Sequence, residues 1–461
     1  MKVDLARPPM STFHMPGLHP GLSYLPPRPG WILRPAEGAR VRLFAESDNP
    51  KLRRAQQNAI DRQQRRMLAS VMEINCAPVL LEDATFRHGF ALIGERAWLN
   101  GAAGGRLRTR YDQQNQAEWR QARLHDAFRR ARGAADQTLP VWKEPADDLP
   151  IAIELKNGFN YYHFTVETLG CLAAFADDDS GQPINLHLPQ DNVRGFIPDF
   201  IAAVFPGIAD RVAFVSSGRP YDRVRAHYSH RHYLYQTADE RIRAAIAEPG
   251  VDPAWAEQLR SETQHRKAVA MASYDSSLRL LREHALRQVP GKLVEERPRL
   301  VWMGRDESGE ARARGITGHK PLLAELSARG FEVVAFEHLG PLEQIAQMQA
   351  ADILIAPHGA GLANMVYAKS GALVIEIGTR QTQLHRWGDF LPAAHVSRCH
   401  YDTVFADVAG LSDLARVPPI SEGLLGVHVG RNATRRILDL VDEALAQDAS
   451  QPGASSSPRN S

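Results

Sequence analysis

Residue types that suit phosphate binding follow several strands predicted in the second half of the sequence. Arg305, His338 and the glycine-rich turn PHGAGLAN (357–364) each come within two residues of the end of a short apolar run. The carboxyl ends of parallel strands meet at one edge of a sheet, where open α/β proteins bind their ligands, so we expect these groups to border one crevice. An arginine and free backbone N–H groups at that edge could bind a phosphate ester.

The turn at 357–364 has two interpretations. His358, Gly359, Ala360 and Gly361 open a predicted helix, so backbone N–H groups and the positive helix end could hold a phosphate without a metal. The two glycines allow close backbone approach, and Asn364 could donate to a ligand oxygen or brace the turn. A strand-to-helix turn that needs glycine only for its own backbone would have the same sequence, so both interpretations stay open.

Arg305 and Glu376 complete the candidate anion and nucleotide site. Arg305 could neutralise a diphosphate with its planar, permanently charged guanidinium, or pair at the surface with Asp306 or Glu307. Glu376 lies inside an apolar strand, where a carboxylate requires a partner. A ribose hydroxyl pair would satisfy it, and so would an arginine or backbone donor of the protein.

The first half of the sequence offers a candidate base in NGFNYYHFTVE (157–167). His163 and Glu167 are four residues apart and share one face of a predicted helix. Imidazole has an ordinary pKa of about 6.5, so His163 is the favoured general base, with Glu167 holding its tautomer. The alternatives are Glu167 as the base, a core histidine at 163, and a base elsewhere, with His338 the next candidate.

From about residue 150 the pattern alternates strands and helices. This alternation predicts a fold of the α/β class with two Rossmann-like, doubly wound domains that face a cleft. Residues 50–140 are expected to be helical with short apolar pieces. The predicted strands are Ile151–Leu155, Ile184–Leu188, Arg211–Val215, Leu300–Met303, 331–336, 352–356 and 372–377, and the main helices are 161–176, 194–205, 341–350 and 361–368.

Neither cysteines nor acidic or histidine clusters predict a metal site. Cys76, Cys171 and Cys399 are odd in number and far apart, which favours buried thiols in a reducing compartment. Asp177–Asp179 precede Ser180-Gly181 and predict a solvated turn. The spacing of His227, His230 and His232 fits no tetrahedral zinc motif.

The distribution of charged and apolar residues bears on whether the protein binds nucleic acid or a membrane. The net charge of +2 over 461 residues is too balanced for a nucleic-acid-binding protein. No apolar run is long enough to span a bilayer. The segment 103–132 carries eight arginines and has Ala117, Leu124 and Phe128 at helical spacing. This pattern favours an exposed helix face on a packed domain, with contact to an anionic membrane surface as the alternative.

The motifs in the second half resemble glycosyltransferase family 61, which includes capsular-polysaccharide biosynthesis proteins. The family hallmark appears as HGAGLAN (358–364) and GALVIE (371–376), with Arg305, Glu337 and Gln344 in matching positions. In the first half, NYYHFTVETL (160–169) is similar to the family's Asn-x-x-His helix start. Gly318 departs from the pattern, because the family often has Asn there.

This resemblance implies a GT-B fold and inversion at the anomeric carbon of a sugar. The donor is expected to be a UDP-sugar, bound by the positions that match the family motif, and the acceptor is expected to be a glycan or polysaccharide hydroxyl near His163 or Glu167. No cofactor or metal is expected beyond the nucleotide-sugar co-substrate. The residues expected to contact the donor are Arg305, His358, Gly359, Ala360, Gly361, Asn364 and Glu376.

The expected organisation follows from these motifs. An irregular arm (1–50) precedes an acceptor-side α/β domain with helical insertions (51–290), a nucleotide-sugar-binding α/β domain (291–446) and a disordered tail (447–461). The reaction is expected in the cytoplasm, at or near the inner face of the membrane. Two rival functions are a sugar-nucleotide epimerase on the same fold and a non-catalytic component of a polysaccharide assembly machine, which the Gly318 departure favours.

Overall fold

Two large β-sheets with helices packed between them form the protein. A computed structural model describes residues 12–67, 70–114, 139–233, 271–304, 315–411 and 417–449. The expected α/β class is confirmed. The predicted tail lies outside these residues except for its first positions, which belong to the last helix.

The first sheet has eight strands and is mixed. Its order is β10-β9-β8-β11-β5-β6-β7, with β1 paired to β5. Its strands are β1 (Leu22–Tyr24), β5 (Cys76–Arg87), β6 (Phe90–Ile93), β7 (Arg96–Ala97), β8 (Ile151–Glu154), β9 (Ile184–His187), β10 (Val212–Val215) and β11 (Arg219–Ser229). The parallel part runs from β10 to β11, but β5 pairs with β11 in antiparallel register along ten residues.

This mixed sheet corrects two expectations. A largely parallel sheet was expected here, and residues 50–140 were expected to be mainly helical. The strands β5 to β7 and a further strand, β4 (Val71–Ile74), occupy much of that region. The physical reason is long-range pairing, because β5 gains its partner β11 from residues more than a hundred positions later.

The second sheet has six strands, all parallel. Its order is β15-β13-β16-β17-β18-β3. Its strands are β3 (Arg40–Ala45), β13 (Leu300–Gly304), β15 (Glu332–Ala335), β16 (Ile353–Pro357), β17 (Leu373–Gly378) and β18 (His400–Phe405). The strands predicted between 300 and 377 are therefore confirmed within one or two residues.

Small sheets and helices complete the described elements. The remaining strands are β2 (Leu33–Ala36), β12 (Ser273–Asp275), β14 (Ile316–Thr317), β19 (Asp407–Val408) and β20 (Val427–His428). The helices are α1 (Pro50–Gln64), α2 (Gly101–Gln114), α3 (segments Tyr161–His163, Phe164–Leu169 and Gly170–Ala173), α4 (Phe196–Val204), α5 (Ser276–Gln288), α6 (Gly291–Glu295), α7 (Lys320–Ala328), α8 (Pro341–Ala350), α9 (Arg380–His385), α10 (Leu391–Ser397) and α11 (Arg431–Ala449). Among the described helices, none is long and apolar enough to cross a membrane.

The second sheet buries both of its faces. Met303 of β13 points to the layer that contains α8 and α10, whereas Trp302 points to the layer of α7 and α11. Successive side chains of a strand point to opposite faces, so an almost continuous apolar strand fits a sheet that is covered on both sides. This arrangement confirms a doubly wound second sheet.

One apolar layer joins the two sheets. It combines Phe164 and Leu172 of α3 with Ile345 and Met348 of α8 and with Leu362 in a single buried cluster. The helices of the first sheet therefore pack directly on those of the second sheet, and the two sheets share a core.

The residues expected to form an irregular arm contain three strands. β1 joins the first sheet, β2 pairs with β4, and β3 extends the second sheet beside β18. Pro26, Pro27, Pro29 and Gly30 lie in the segment between β1 and β2. A bidentate ion pair fixes β3, since Arg42 donates to both carboxylate oxygens of the fully buried Asp402 at 3.0 and 2.7 Å.

We expect Arg42→Ala to lower the free energy of unfolding by about 2–4 kcal/mol, because it leaves the Asp402 carboxylate buried without its partner. The matched control is Arg40→Ala, an exposed position on the same strand, for which we expect a change within about 0.5 kcal/mol. Guanidinium unfolding of the three proteins measures the difference. Equal effects of the two substitutions would contradict the integration of β3 into the second sheet.

Candidate active site

Helix α3 begins close to the carboxyl end of β8 and carries the candidate base. Asn160 caps it, with its side-chain oxygen accepting the backbone N–H of His163. The middle of the helix, Phe164–Leu169, is a π-helical turn. The hydroxyl of Thr165 donates to the carbonyl of Tyr161 at 2.9 Å, which gives this backbone oxygen a side-chain partner. Single π-turns inside helices are frequent at functional sites.

His163 and Glu167 form the pair that their spacing predicted. Nδ1 of His163 lies 2.8 Å from Oε1 of Glu167, and about a quarter of each side chain is exposed. When Nδ1–H donates to the carboxylate, Nε2 carries the free lone pair. The pair therefore has the geometry of a general base held in one tautomer.

The turn after β16 differs in one respect from the expectation. Residues Ala360–Tyr367 form a 3₁₀ helix, whereas a helix of the α type was expected over 361–368. Gly359 is extended, with φ of 179°. At Gly361 an added Cβ would lie 3.1 Å from Sδ of Met303, so this glycine allows close packing on β13. The backbone N–H of His358 donates to β17, which leaves the following N–H groups as the candidates for phosphate.

Glu376 has protein partners on both carboxylate oxygens. Oε1 lies 2.5 Å from Nδ1 of His358, and Oε2 accepts a hydrogen bond from the hydroxyl of Tyr401. The contacts thus match the interpretation in which the protein itself satisfies this buried carboxylate. Burial of the Tyr401 hydroxyl, and then the negative charge of Glu376, raise the pKa of Tyr401 well above its ordinary value. The His358 ring packs against Phe390, and so does the ring of Tyr162.

Asn364 braces the two sheets. It is fully buried; its Oδ1 accepts the hydroxyl of Tyr161 at 2.6 Å, and its Nδ2 donates to Oε1 of Gln344 at 3.1 Å. The Tyr161 hydroxyl also lies 3.1 Å from that Gln344 oxygen. Of the two interpretations of Asn364, the contacts match the bracing one.

Asp389 lies between the two histidine–glutamate pairs. Its carboxyl interacts electrostatically with both His163 and His358, and its backbone carbonyl accepts the hydroxyl of Tyr162 at 2.5 Å. Burial raises the pKa of the Asp389 carboxyl against the opposing charges of Arg386 and His358. Asp389 therefore interacts electrostatically with histidines on both sides of the site.

A family model described as Glycosyltransferase 61 matches residues 161–375. The chain contains a glycosyltransferase 61 domain. It is a glycosyltransferase, and the resemblance seen in its motifs is confirmed. The matched range begins at the first residue of α3 and includes the turn at 357–364. A search among curated proteins found no match for the chain.

The structure describes most, but not all, of the site residues that the sequence predicted. Arg305 lies outside the described residues. His338 is exposed after β15, at the same edge of the sheet as the turn. Motif reasoning missed Asp389, because it lies in a loop between two helices and follows no strand.

The clusters that resembled metal sites have structural roles. Asp178 binds Arg211 and Arg225, at 2.8 and 2.5 Å. His230 pairs with the Tyr24 hydroxyl at 2.6 Å, and His232 with a backbone carbonyl. Asp178, His230 and His232 thus each have their own protein partner, and no group of metal ligands is found among the described residues.

Gly318, the departure from the family pattern, has a packing reason. Its φ is +71°, and an added Cβ would lie 2.6 Å from the carbonyl oxygen of Val429. An asparagine would therefore collide with the backbone beside β20. The departure reflects how this chain closes the small β14-β20-β19 sheet.

Glu154, at the carboxyl end of β8, is a further acidic group beside α3. Its Oε1 is buried and has no hydrogen-bond partner. It lines an enclosed cavity of about 20 Å³ together with Glu167, Cys171 and His227. Burial raises the pKa of Glu154 from its ordinary value of 4.5 to about 8.

We expect the stability of the protein to fall as the pH rises from about 5 to 8, in part because of Glu154. In this window the unfolded chain has released the proton and the folded chain retains it, which lowers the free energy of unfolding by up to about 1.4 kcal/mol per pH unit. Glu154→Gln removes this contribution. Urea unfolding at pH 5.5, 6.5 and 7.5 should show the variant gaining stability relative to wild type as the pH rises.

Glu295→Gln, at an exposed position on α6, is the control and should follow the wild-type curve. Parallel curves for Glu154→Gln and the wild type would show that Glu154 ionises normally in the folded protein.

Proposed function

We propose that this glycosyltransferase inverts the anomeric carbon of a UDP-sugar as it transfers the sugar to a hydroxyl of a glycan or polysaccharide. The reaction is a single displacement that requires no metal. The observation that supports the proposal is the contact between Nδ1 of His163 and Oε1 of Glu167, at 2.8 Å. The carboxyl of Asp389 interacts electrostatically with His163 and also with His358 on the donor side.

The acceptor hydroxyl loses its proton in this reaction. Nε2 of His163 takes the proton while the hydroxyl oxygen attacks the anomeric carbon, and the bond to the departing diphosphate breaks. Glu167 orients the imidazole through Nδ1 and stabilises the imidazolium that forms.

The departing UDP carries negative charge that needs stabilisation. We assign this role to Arg305 and to the backbone N–H groups that follow His358 in the turn after β16. In its imidazolium form, with both ring nitrogens protonated, His358 would donate Nδ1–H to Glu376 and Nε2–H to a phosphate oxygen. In the sequence, Arg305 is the residue after Gly304, with which β13 ends.

The two sheets support a GT-B arrangement as part of this proposal. The carboxyl end of β8 leads to α3, and the carboxyl end of β16 leads to the turn with His358, so each sheet directs its candidate residues to a common region. The packing reason for Gly318 removes the feature that favoured a non-catalytic assembly component. We place the reaction in the cytoplasm, because the three cysteines are free thiols.

His163→Ala should lower kcat by about 10²–10⁴-fold, the usual contribution of a general base, and leave UDP affinity unchanged. Glu167→Gln should lower kcat less, because it alters only the orientation and charge of the imidazole. The measurement is release of UDP from a panel of UDP-sugars in EDTA, with and without glycan acceptors. The reverse order of the two effects would make Glu167 the base.

Three other outcomes would contradict the proposal. Full activity of both variants would assign α3 a structural role, with His338 the next candidate base. Activity that EDTA abolishes and Mn²⁺ restores would contradict a metal-independent reaction. Conversion of the donor to an epimer without an acceptor would identify a sugar-nucleotide epimerase.

Arg305→Ala should weaken UDP binding by about 1.5–3 kcal/mol, because a charge-assisted contact to the diphosphate is lost. Arg299→Ala is the matched control, since Arg299 lies before the amino end of β13 and pairs with Asp352. Calorimetric titration with UDP compares the two variants with the wild type. An unchanged affinity of a folded Arg305→Ala protein would show that another group binds the diphosphate.

A further inference from the structure

Cationic side chains gather beside α3 on the side of the first sheet. Lys156 follows β8, and Arg106 and Arg110 lie one turn apart on α2. The ammonium of Lys156 lies 3.8 Å from the centre of the Phe90 ring, and the guanidinium of Arg110 lies 5.3 Å from the same centre. Nη2 of Arg106 donates to the side chain of Asn157 at 3.5 Å. These contacts bring three positive charges to one region.

This region adjoins the candidate base. Lys156 lines the same small cavity as Glu154 and Glu167. The loop that begins at Asn157 leads directly into α3, which carries His163. A group held by Lys156 would therefore lie at the acceptor side of the proposed reaction.

Two of these three cations have no carboxylate partner among the described residues. In the part of the chain that the structure describes, neither Lys156 nor Arg106 has an ion-pair partner, and the ammonium of Lys156 donates only to the carbonyl of His88. Burial, and then the charges of Arg110 and Arg106, lower the pKa of Lys156 to about 8. Glu154 and Glu167 line the cavity beside Lys156, and burial keeps the Glu154 carboxyl largely neutral near pH 7.

Like charges that repel one another are unfavourable unless an anion binds between them. Ion pairs elsewhere in this protein, such as that of Arg42 with Asp402, show how its structural cations are neutralised. Within the described part of the chain, Lys156 and Arg106 lack such a partner, which favours an anionic ligand in place of a structural carboxylate.

An exposed aromatic side chain follows Lys156 by three residues in the sequence. Phe159 is 47% exposed, although it lies between the buried Asn157 and the helix cap Asn160. An aromatic face presented to solvent beside polar groups offers a surface for the apolar side of a sugar ring. The cations and the ring together suit a ligand that is both a saccharide and an anion.

We propose that the acceptor of this glycosyltransferase is an anionic saccharide whose carboxylate or phosphate group binds Lys156 and Arg106 while a sugar ring lies on Phe159. This inference rests on the proposed function, because it takes the side of α3 as the acceptor side. It adds the chemical class of the acceptor, which the family match leaves open.

Calorimetric titration with tetragalacturonate, its methyl ester and galactose 1-phosphate tests the proposal, with and without UDP. The wild type should bind at least one anionic probe tenfold or more tightly than the neutral ester, and added NaCl should weaken this binding. Preference for tetragalacturonate identifies a carboxylate acceptor, and preference for galactose 1-phosphate a phosphate acceptor. Equal binding of the ester, or no binding of either anion, would overturn the proposal.

Substitutions of the two cations test where the anionic probe binds. Lys156→Met and Arg106→Gln should each weaken the preferred anionic probe tenfold or more, and Lys156→Arg should retain most of the affinity. Lys51→Met, an exposed change on α1, is the control and should match the wild type. Wild-type affinity in both Lys156→Met and Arg106→Gln would overturn the assignment.

Titration of each protein with UDP separates this inference from the function on which it rests. A wild type that binds UDP but neither anionic probe would contradict only the class of the acceptor. A wild type that binds the anionic probes but no UDP would contradict the proposed donor and leave the anionic site in place.

Discussion

The hydrogen bonds of Tyr161 to Asn364 and Gln344 are the contacts on which the rest of the site depends. Asn364 is fully buried, and a buried amide is stable only when its donors and acceptors are satisfied. Tyr161, the first residue of α3, supplies an essential partner from the opposite sheet. Burial raises the pKa of Tyr161, so its hydroxyl stays a donor. The relative position of α3 and the turn after β16 follows from this requirement, and so does the approach of His163 to Asp389.

The shared apolar layer has a related consequence for catalysis. Phe164 and Leu172 pack into the same cluster as Ile345 and Leu362, so any separation of the sheets would expose this surface to water. The two histidine–glutamate pairs are thus held in place before a substrate binds. Preorganised polar groups contribute more to catalysis than groups that must be reoriented during the reaction.

Local patterns in the sequence predicted much of the fold and part of the site. Four of the six strands of the second sheet (β13, β15, β16 and β17) were predictable because they are short apolar runs that alternate with helices. The pairing of His163 with Glu167 was predictable because helical spacing alone brings them together. The pairing of β5 with β11 and the place of β3 depend on residues far apart in the chain, so no local pattern reveals them. Glu376 had two interpretations, and only the positions of His358 and Tyr401 decide between them.

The place of β3 bears on how the protein is made. The ribosome synthesises Arg40–Ala45 early, yet its neighbour β18 is complete only after residue 405. Until then, β3 carries unpaired backbone groups and Arg42 has no carboxylate to bind. An exposed strand of this kind is a template for wrong pairing, and contacts over such separations form slowly. We therefore infer that the second sheet is completed only late in synthesis, by the return of the early strand to its edge.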